Sequence, residues 1–388
     1  MSEWKQTTLG DLLIRVRRKV AVEDGVSYPT VSVQMYGRGL GEKEPFVGGV
    51  SKYTTLNKVR ENDVVLRTIT AFEAPAGVAR AEHDGTHVSG VFITYEVDEK
   101  VLPEFLRLYF QTPTFWDEMQ NRASGTVLRR KTISDTSFRA IPFALPPAPV
   151  QEQIVEIISA VDNQITALEA EVKAAVKVRT GLVGNSADTG QVSLGSLGIV
   201  SQGKGLPKKL QGKQTGEVSW YKIADMTRPE NEFGYTLADT RLTPSEVAEM
   251  GGVVVKAGAV TFPRVGAAVL TEKKRIVDIP GALDENHLVI TPREGTNPEY
   301  LLAVMESFTL SSLVRSGAVP SLNMGLIRST KVPWSWTENQ SLGTALGALR
   351  AEARALASEA ASLRTTRAVL LSGLLDRSID IESAEHRV

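Results

Sequence analysis

The residues that come nearest to forming a reactive site lie in four short stretches. Gly198-Ile199-Val200-Ser201-Gln202-Gly203-Lys204-Gly205 spells a phosphate-binding loop up to its last position. That position needs a Ser or Thr hydroxyl for magnesium, and here it is Gly205. Leu206-Pro207 follows, so no helix N-terminus is presented to a phosphate, and a glycine-rich turn is the plainer reading. Gly37-Arg38-Gly39-Leu40-Gly41 follows an expected strand, but residues 42–45 cannot open the helix that a dinucleotide site requires. His83 and His87 are four apart, the spacing of a metal pair on a helix. Gly85 between them argues for a turn instead. No serine, histidine and acid stand together locally, although a triad assembled in space leaves no such trace.

A fourth stretch, Asn297-Pro298-Glu299-Tyr300, looks like the Asn/Asp-Pro-Pro-Tyr/Phe motif of amino-methyltransferases, with Glu299 in place of the second proline. The corresponding place in the first half, Val101-Leu102-Pro103-Glu104-Phe105, lacks the polar residue as well. A helix start that recurs within a repeat is the better account. No catalytic site and no metal site is expected in this chain.

Composition narrows the class further. A chain of 388 residues with 42% apolar residues can bury two or three cores, so more than one domain is expected. The formal charge of −1 means that a nucleic-acid binder would have its basic residues sorted onto one face. There is no cysteine, which excludes disulfides and thiolate metal sites and suits a reducing cytosol. The polar first ten residues lack the apolar centre of a signal peptide, and no apolar run approaches the roughly 20 residues that cross a bilayer. A soluble, cytoplasmic protein without a membrane partner is expected.

The elements that would position any site are two long helices. Ile154, Ile158, Val161, Ile165, Leu168, Val172, Ala175, Arg179 and Leu182 form a heptad seam, with polar residues between its members. The seam returns as Leu342, Leu346, Leu349, Ala353, Leu356, Ala360, Leu363, Arg367 and Leu370. Ile154 and Leu342 are 188 positions apart, and so are Arg179 and Arg367. Each helix is the natural partner of the other. On the seam, the stems of Arg179 and Arg367 are expected to lie on apolar neighbours while their heads reach water, with a subunit contact as the alternative.

The segments ahead of the two seams repeat as well. Leu9-Gly10 answers to Leu194-Gly195, and Asn62-Asp63-Val64 to Gly258-Ala259-Val260, with Arg67 then pairing with Arg264. The β-type run 91–95 answers to Leu288 and its neighbours. Pro103-Glu104-Phe105-Leu106 answers to Pro298-Glu299-Tyr300-Leu301, Ser124-Gly125 to Ser316-Gly317, and Ile141-Pro142 to Val332-Pro333. Short β-type runs at 30–35, 63–69 and 88–97 are bounded by glycines, and Pro103 opens a helix. Residues 181–190 read as a flexible linker. Two copies of one unit, each a β-rich globule followed by a long helix, account for the whole chain.

In the first copy the order is Ser124-Gly125-Thr126, Ile141-Pro142, Leu145-Pro146-Pro147, Gln151-Glu152-Gln153 and then the heptad helix. The second unit opens with Gly203-Lys204-Gly205-Leu206-Pro207 and a Trp220-Tyr221-Lys222-Ile223-Ala224-Asp225 run. This order, met twice, resembles the specificity subunit of type I restriction–modification systems, often called HsdS. The second copy departs from it, since residues 332–340 keep only Val332-Pro333 and Gln340.

The resemblance implies an α+β fold. Two β-rich target-recognition domains would be joined by two long helices pairing as an antiparallel coiled coil, with an internal pseudo-two-fold. The expected parts are a first recognition domain at 1–149, a central helix at 150–184, a second domain at 185–336, a C-terminal helix at 337–380 and a tail at 381–388. It also implies a non-catalytic subunit that reads a split, asymmetric target in double-stranded DNA, one half-site per domain. Such a subunit recruits two modification subunits, which carry S-adenosylmethionine and the adenine-N6 methyltransferase chemistry. In a full complex it also meets restriction motor subunits, which use ATP and magnesium. No cofactor is expected on this chain.

Base edges are read by forked guanidinium and amide groups, while lysines hold phosphates. The candidates are Arg67, Arg129, Arg130 and Lys131 in the first domain, and Lys204, Lys208, Lys209, Lys213, Arg264 and Asn323 in the second. The pair Arg67 and Arg264 fits either a shared DNA contact or a shared structural ion pair. A seam of 28 residues gives a rod of at least ~40 Å, against about 34–36 Å between half-sites one DNA turn apart. The opposing reading is a two-domain coiled-coil scaffold that binds proteins and never touches DNA.

Overall fold

A computed structural model of the chain describes residues 4–50, 53–127, 130–184, 190–314 and 319–381. The chain divides into two compact units, Met1–Ile165 with Ser362–Val388, and Thr166–Ala361. Both are mixed α/β, and each takes part of both long helices.

In the first unit the opening strand Lys5–Thr8 pairs with the closing strand Pro142–Leu145. A four-stranded antiparallel sheet follows in the order Leu13–Val16, Phe92–Val97, Val64–Arg67, Ala76–Val78. A second, five-stranded sheet runs Lys19–Ala21, Thr55–Lys58, His87–Val88, Ser27–Val33, Leu40–Val47. Its Ser27–Val33 and His87–Val88 strands are parallel. The expected run at 88–97 is thus two strands, divided at Gly90 and serving different sheets. The helix Pro103–Tyr109 starts on its proline as expected, and its Phe105 and Leu106 enter the main core. Helices Pro113–Arg122 and Asp135–Arg139 were not expected, because both are short and polar, with few apolar residues to mark a buried face.

The second unit repeats this plan. Gly190–Ser193 pairs with Lys331–Trp334. The four-stranded antiparallel sheet runs Gly198–Gln202, His287–Pro292, Val260–Pro263, Arg275–Ile276. A three-stranded sheet runs Thr240–Leu242, Val218–Tyr221, Gly281–Leu283, with the last two parallel. Helix Pro298–Ser307 takes the place of Pro103–Tyr109.

Register makes the duplication explicit. Asn62, at φ 66°, and Gly258, at φ 88°, stand two residues before Val64 and Val260, which pair with Tyr95 and Ile290. Leu9 N–H donates to Ile141 O at 3.0 Å, and Leu194 N–H to Thr330 O at 3.0 Å. A Cβ on Gly10 would stand 3.0 Å from Arg139 O, and one on Gly195 would stand 3.0 Å from Arg328 O.

Two of the expected correspondences shift. Thr68 N–H donates to Val91 O where Arg264 N–H donates to Asn286 O, so Arg264 answers to Thr68 and Arg67 to Pro263. A slip of one residue on a strand exchanges its faces, so the two arginines are not equivalent. Phe143, paired with Thr7, answers to Val332, paired with Val192, so Val332-Pro333 aligns two residues beyond Ile141-Pro142. A slip of two preserves the faces, and hydropathy cannot register it.

The long helices are Ala148–Gly184 and Asn339–Leu375, each of 37 residues and about 55 Å. Every expected seam residue is buried or half-buried, while Glu152, Asn163 and Lys173 between them are exposed. Within the first unit, Leu371 and Leu374 pack in one core with Ile154 and Ile158. Arg367 there places its guanidinium on the Asp162 carboxylate, the second bond being 2.8 Å. As the first helix rises from 154 to 162 the second descends from 374 to 367, so the two segments are antiparallel. Within the second unit, Val183 and Leu346 share a core that also takes Leu182 and Leu342 at its margin.

The expectation that Arg179 and Arg367 reach water is corrected. Arg179 is buried and ion-paired to Glu306, and Arg367 is held by Asp162. A buried guanidinium is tolerated only when it is paired, and both acids lie within reach of the seam.

The first turn of each helix is tied down by a side-chain amide. Gln151 Oε1 accepts from Leu102 N–H at 2.8 Å, and its Nε2 donates to Lys100 O and Pro146 O at 3.0 and 2.9 Å. Asn339, 188 residues on, accepts from Asn297 N–H at 3.1 Å and donates to Trp336 O at 2.9 Å. Leu102 and Asn297 are the N-caps of the two equivalent short helices. Close approach here requires Gly343, since a Cβ would stand 2.1 Å from Asn297 Cγ.

Candidate nucleic-acid interface

Antiparallel strands present two ends, and in each unit the end carrying Val97 or Pro292 leads into the short helix tied to the long one. The opposite end gathers most of the basic candidates.

In the first unit this end is a strained turn. Strand Val64–Arg67 passes through Thr70 (φ 56°) into the short 3-10 turn Ala71–Glu73 and leaves through Ala74 (φ 47°). Each non-glycine residue in this left-handed region costs roughly 1–2 kcal/mol. The turn is held by the loop that follows helix Pro113–Arg122. Ser124 and Thr132 exchange backbone hydrogen bonds at 2.9 Å, Lys131 O accepts from Ala71 N–H at 3.0 Å, and Thr68 O accepts from Ile133 N–H at 3.0 Å. Arg67, Arg130 and Lys131 are thereby brought to one end of the sheet, with Arg130 exposed and Lys131 half-buried. Arg67 is committed: its Nη2 lies 3.1 Å from Glu73 Oε2, across the turn. Arg129 lies outside the described residues.

The second unit builds the same turn. Gly266 (φ 78°) and Glu272 (φ 55°) flank the 3-10 turn Ala267–Thr271, and Leu322 N–H donates to Arg264 O at 2.9 Å. Glu272 accepts from Leu310 and Ser311 N–H at 2.7 and 2.8 Å. Burial works to raise its carboxyl, but Lys274 and these backbone donors outweigh that and hold it at about 2. Ser316-Gly317, the counterpart expected for Ser124-Gly125, lies outside the described residues, as does 185–189 of the linker.

Lys204 and Arg264 meet at the turn between Leu283 and His287. Lys204 N–H donates to Leu283 O at 2.9 Å, and Arg264 Nε donates to Glu285 O at 3.0 Å. That turn is set by a buried relay which sequence reasoning missed. Tyr235 Oη lies 2.7 Å from His287 Nε2, and His287 Nδ1 lies 2.7 Å from Asp284 Oδ1. Tyr221 stacks on Tyr235 with centroids 4.4 Å apart. His287 is fully buried, and each of its ring nitrogens has a partner in this group. Burial works to raise the Asp284 carboxyl, yet the His287 bond and the Ile223 and Asn286 N–H groups leave it below its usual range. Desolvation drives the Tyr235 phenol well above its usual value. No local pattern announces this group, because its members are 52 residues apart.

The remaining candidates separate by commitment. Lys208 and Lys209 are exposed on a 3-10 turn. Lys213 is ion-paired to Glu246, which also caps helix Pro244–Glu249. Asn323 Oδ1 caps helix Met324–Ser329 by accepting from Leu326 N–H at 3.1 Å, which leaves its Nδ2 for another partner.

The near-miss motifs have structural roles. Gly203 stands where a Cβ would be 2.0 Å from Asp284 O, and Gly198 opens a strand. Asn297 Oδ1 caps its helix by accepting from Glu299 and Tyr300 N–H at 3.0 and 3.3 Å. His83 accepts from Arg80 N–H at 3.0 Å on a 3-10 turn, and His87 lies on a strand with Nδ1 3.2 Å from Pro29 O. Among the described residues, no helix is long and apolar enough to cross a membrane.

Residues 1–178 match the family described as the type I restriction modification DNA specificity domain. The match covers 178 of the 388 residues. Over its full length the chain is similar in fold to the type I restriction–modification S subunit from M. genitalium. The TM-score is 0.59 and the identity 14%, covering 96% of each chain. It is similar also to a structure described as the basis of complex assembly and conformational transition of the type I R-M system. There the TM-score is 0.56 and the identity 13%, covering 96% of this chain and 97% of that one. No curated protein matches the sequence.

Proposed function

We propose that this chain is the DNA-recognition subunit of a type I restriction–modification complex, reading a bipartite, asymmetric target with one half-site per unit. The observation that carries the reading is duplication: a unit whose first copy matches a DNA specificity domain is repeated, with the same strand order and register in its four-stranded sheet. Two copies of one reader with different surface residues suit a split target whose halves differ. The long helices act as the spacer, pairing as a coiled coil, and recruit two methyltransferase subunits, with restriction motor subunits in the full complex.

On this reading the chain has no catalytic site and binds no cofactor. S-adenosylmethionine belongs to the methyltransferases, and ATP with magnesium to the motor subunits. Basic groups without an internal acid among the described residues, Arg130, Lys204, Lys208 and Lys209, approach phosphates, and Arg264 and Asn323 approach base edges. Long-read methylation mapping of the host with and without the gene tests this directly. A bipartite motif that disappears with the gene is expected; an unchanged methylome refutes it. Binding of the purified complex to duplex DNA should weaken steeply with salt, whereas a protein scaffold gives no such slope.

A further inference from the structure

Resting on that reading, we propose that a groove between the two sheets of the first unit, lined by Arg17, Lys19 and Asn57, is its principal base-reading site. The groove encloses about 190 Å³ and is formed where the chain leaves strand Leu13–Val16 for strand Lys19–Ala21 in the other sheet. Three cations line it, Arg15, Arg17 and Lys19, and no carboxylate does. In a chain of net charge −1 this is locally sorted positive charge.

The arginines around the crossing divide by what holds them. Arg15 reaches Asp135 at 3.0 Å, and Arg18 is bound to Asp63 and Glu96 at 2.5 and 2.6 Å. These two fix the crossing. Arg17, between them, and Lys19 are exposed and have no ion pair among the described residues. Asn57 lies directly opposite Lys19 across the strand pair, so both side chains share one face. Its amide has no hydrogen bond among the described residues. A free guanidinium fork, a free amide and a lysine are the set that reads guanine, reads adenine and holds a phosphate.

The second unit departs from this at the same place. Tyr95 and Ile290 are equivalent, and their partners are Arg15 and Val200, so Arg17 answers to Gln202 and Lys19 to Lys204. There the Lys204 backbone forms a β-bridge with that of Asp284, and a Cβ on Gly205 would stand 3.4 Å from the Glu285 carboxylate. One frame therefore offers two different chemistries, as unlike half-sites require.

The test uses the full chain assembled with its methyltransferase subunits, carrying Arg17→Ala, Asn57→Ala, Lys19→Ala or Arg18→Ala. Methylation mapping and DNA titration at several salt concentrations are the readouts. Arg17→Ala and Asn57→Ala should each relax one position of one half-site, lowering base discrimination there by roughly 5–150-fold. Lys19→Ala should weaken binding to all sequences alike and reduce the salt slope by about 1. Arg18→Ala, which frees the crossing from Asp63 and Glu96, should lower thermal stability and weaken discrimination at the same positions. Unchanged motif and affinity in Arg17→Ala and Asn57→Ala overturn the groove while leaving the DNA reading standing. A wild-type complex without sequence-selective binding overturns both.

Discussion

Replacing Gln151 by leucine tests whether a buried amide locks the first unit onto its long helix. Leucine fills nearly the same volume but removes one acceptor and two donors. The Pro146 carbonyl is left without its partner in a fully buried place, while Leu102 N–H and Lys100 O are partly open to water. Stranding a buried group costs about 1–3 kcal/mol, and the two part-exposed bonds contribute about 0.5–1.5 kcal/mol each. Added apolar burial returns about 1 kcal/mol, so the net loss centres on about 3 kcal/mol, in a range of about 1–5 kcal/mol. In a unit of this size each kcal/mol moves Tm by roughly 2–4 °C, which predicts a fall of about 6–12 °C in its transition. Calorimetry of the intact chain reads it. Asn339→Leu should cost less, because none of its three bonds is fully buried and the one from Gln340 Nε2 is 3.4 Å long. A transition within about 2 °C of wild type for Gln151→Leu would show that the amide is a bystander.

Other outcomes follow from the same geometry. Thr70→Gly relieves a left-handed β-branched residue and should raise stability by about 0.5–1 kcal/mol in urea unfolding, whereas Gly266→Ala should lower it by about 1 kcal/mol. A double-mutant cycle on Asp162 and Arg367 should give a coupling of about 0.5–1 kcal/mol, kept small by the half-exposed carboxylate. The Asp284 carboxyl is held below its usual range when folded, so its contribution is full above the unfolded value near 4 and is lost as pH falls through the folded one. Urea midpoints from pH 6 to pH 3 should therefore fall less steeply in Asp284→Asn than in wild type.

How much the sequence disclosed depended on the kind of contact. The seam was legible because heptad spacing is a local rule, and its 188-residue return needs only counting. Pro103 and Pro298 marked helix starts for the same reason. Strand Leu40–Val47 was not legible: its Glu42, Lys43, Glu44 and Pro45 face solvent at a sheet edge, where no apolar alternation is needed. The Arg67 and Arg264 pairing failed by one residue, because aligning arginines ignores the register that hydrogen bonds impose. Arg179 and Arg367 looked like snorkelling side chains until Glu306 and Asp162 came within reach, and Glu306 is 127 residues from its arginine. The Tyr235, His287 and Asp284 relay and the Arg17 groove are tertiary in the same sense.

The pairing of opening and closing strands, Lys5–Thr8 with Pro142–Leu145 and Gly190–Ser193 with Lys331–Trp334, has an evolutionary corollary. Each globule begins and finishes side by side, like a bead on a two-thread stem. Genetic exchange of everything between the threads leaves the cut ends already adjacent, so closing the chain around a substitute costs little entropy. On the proposed function, trading one bead would alter one half-site and leave the other as it was.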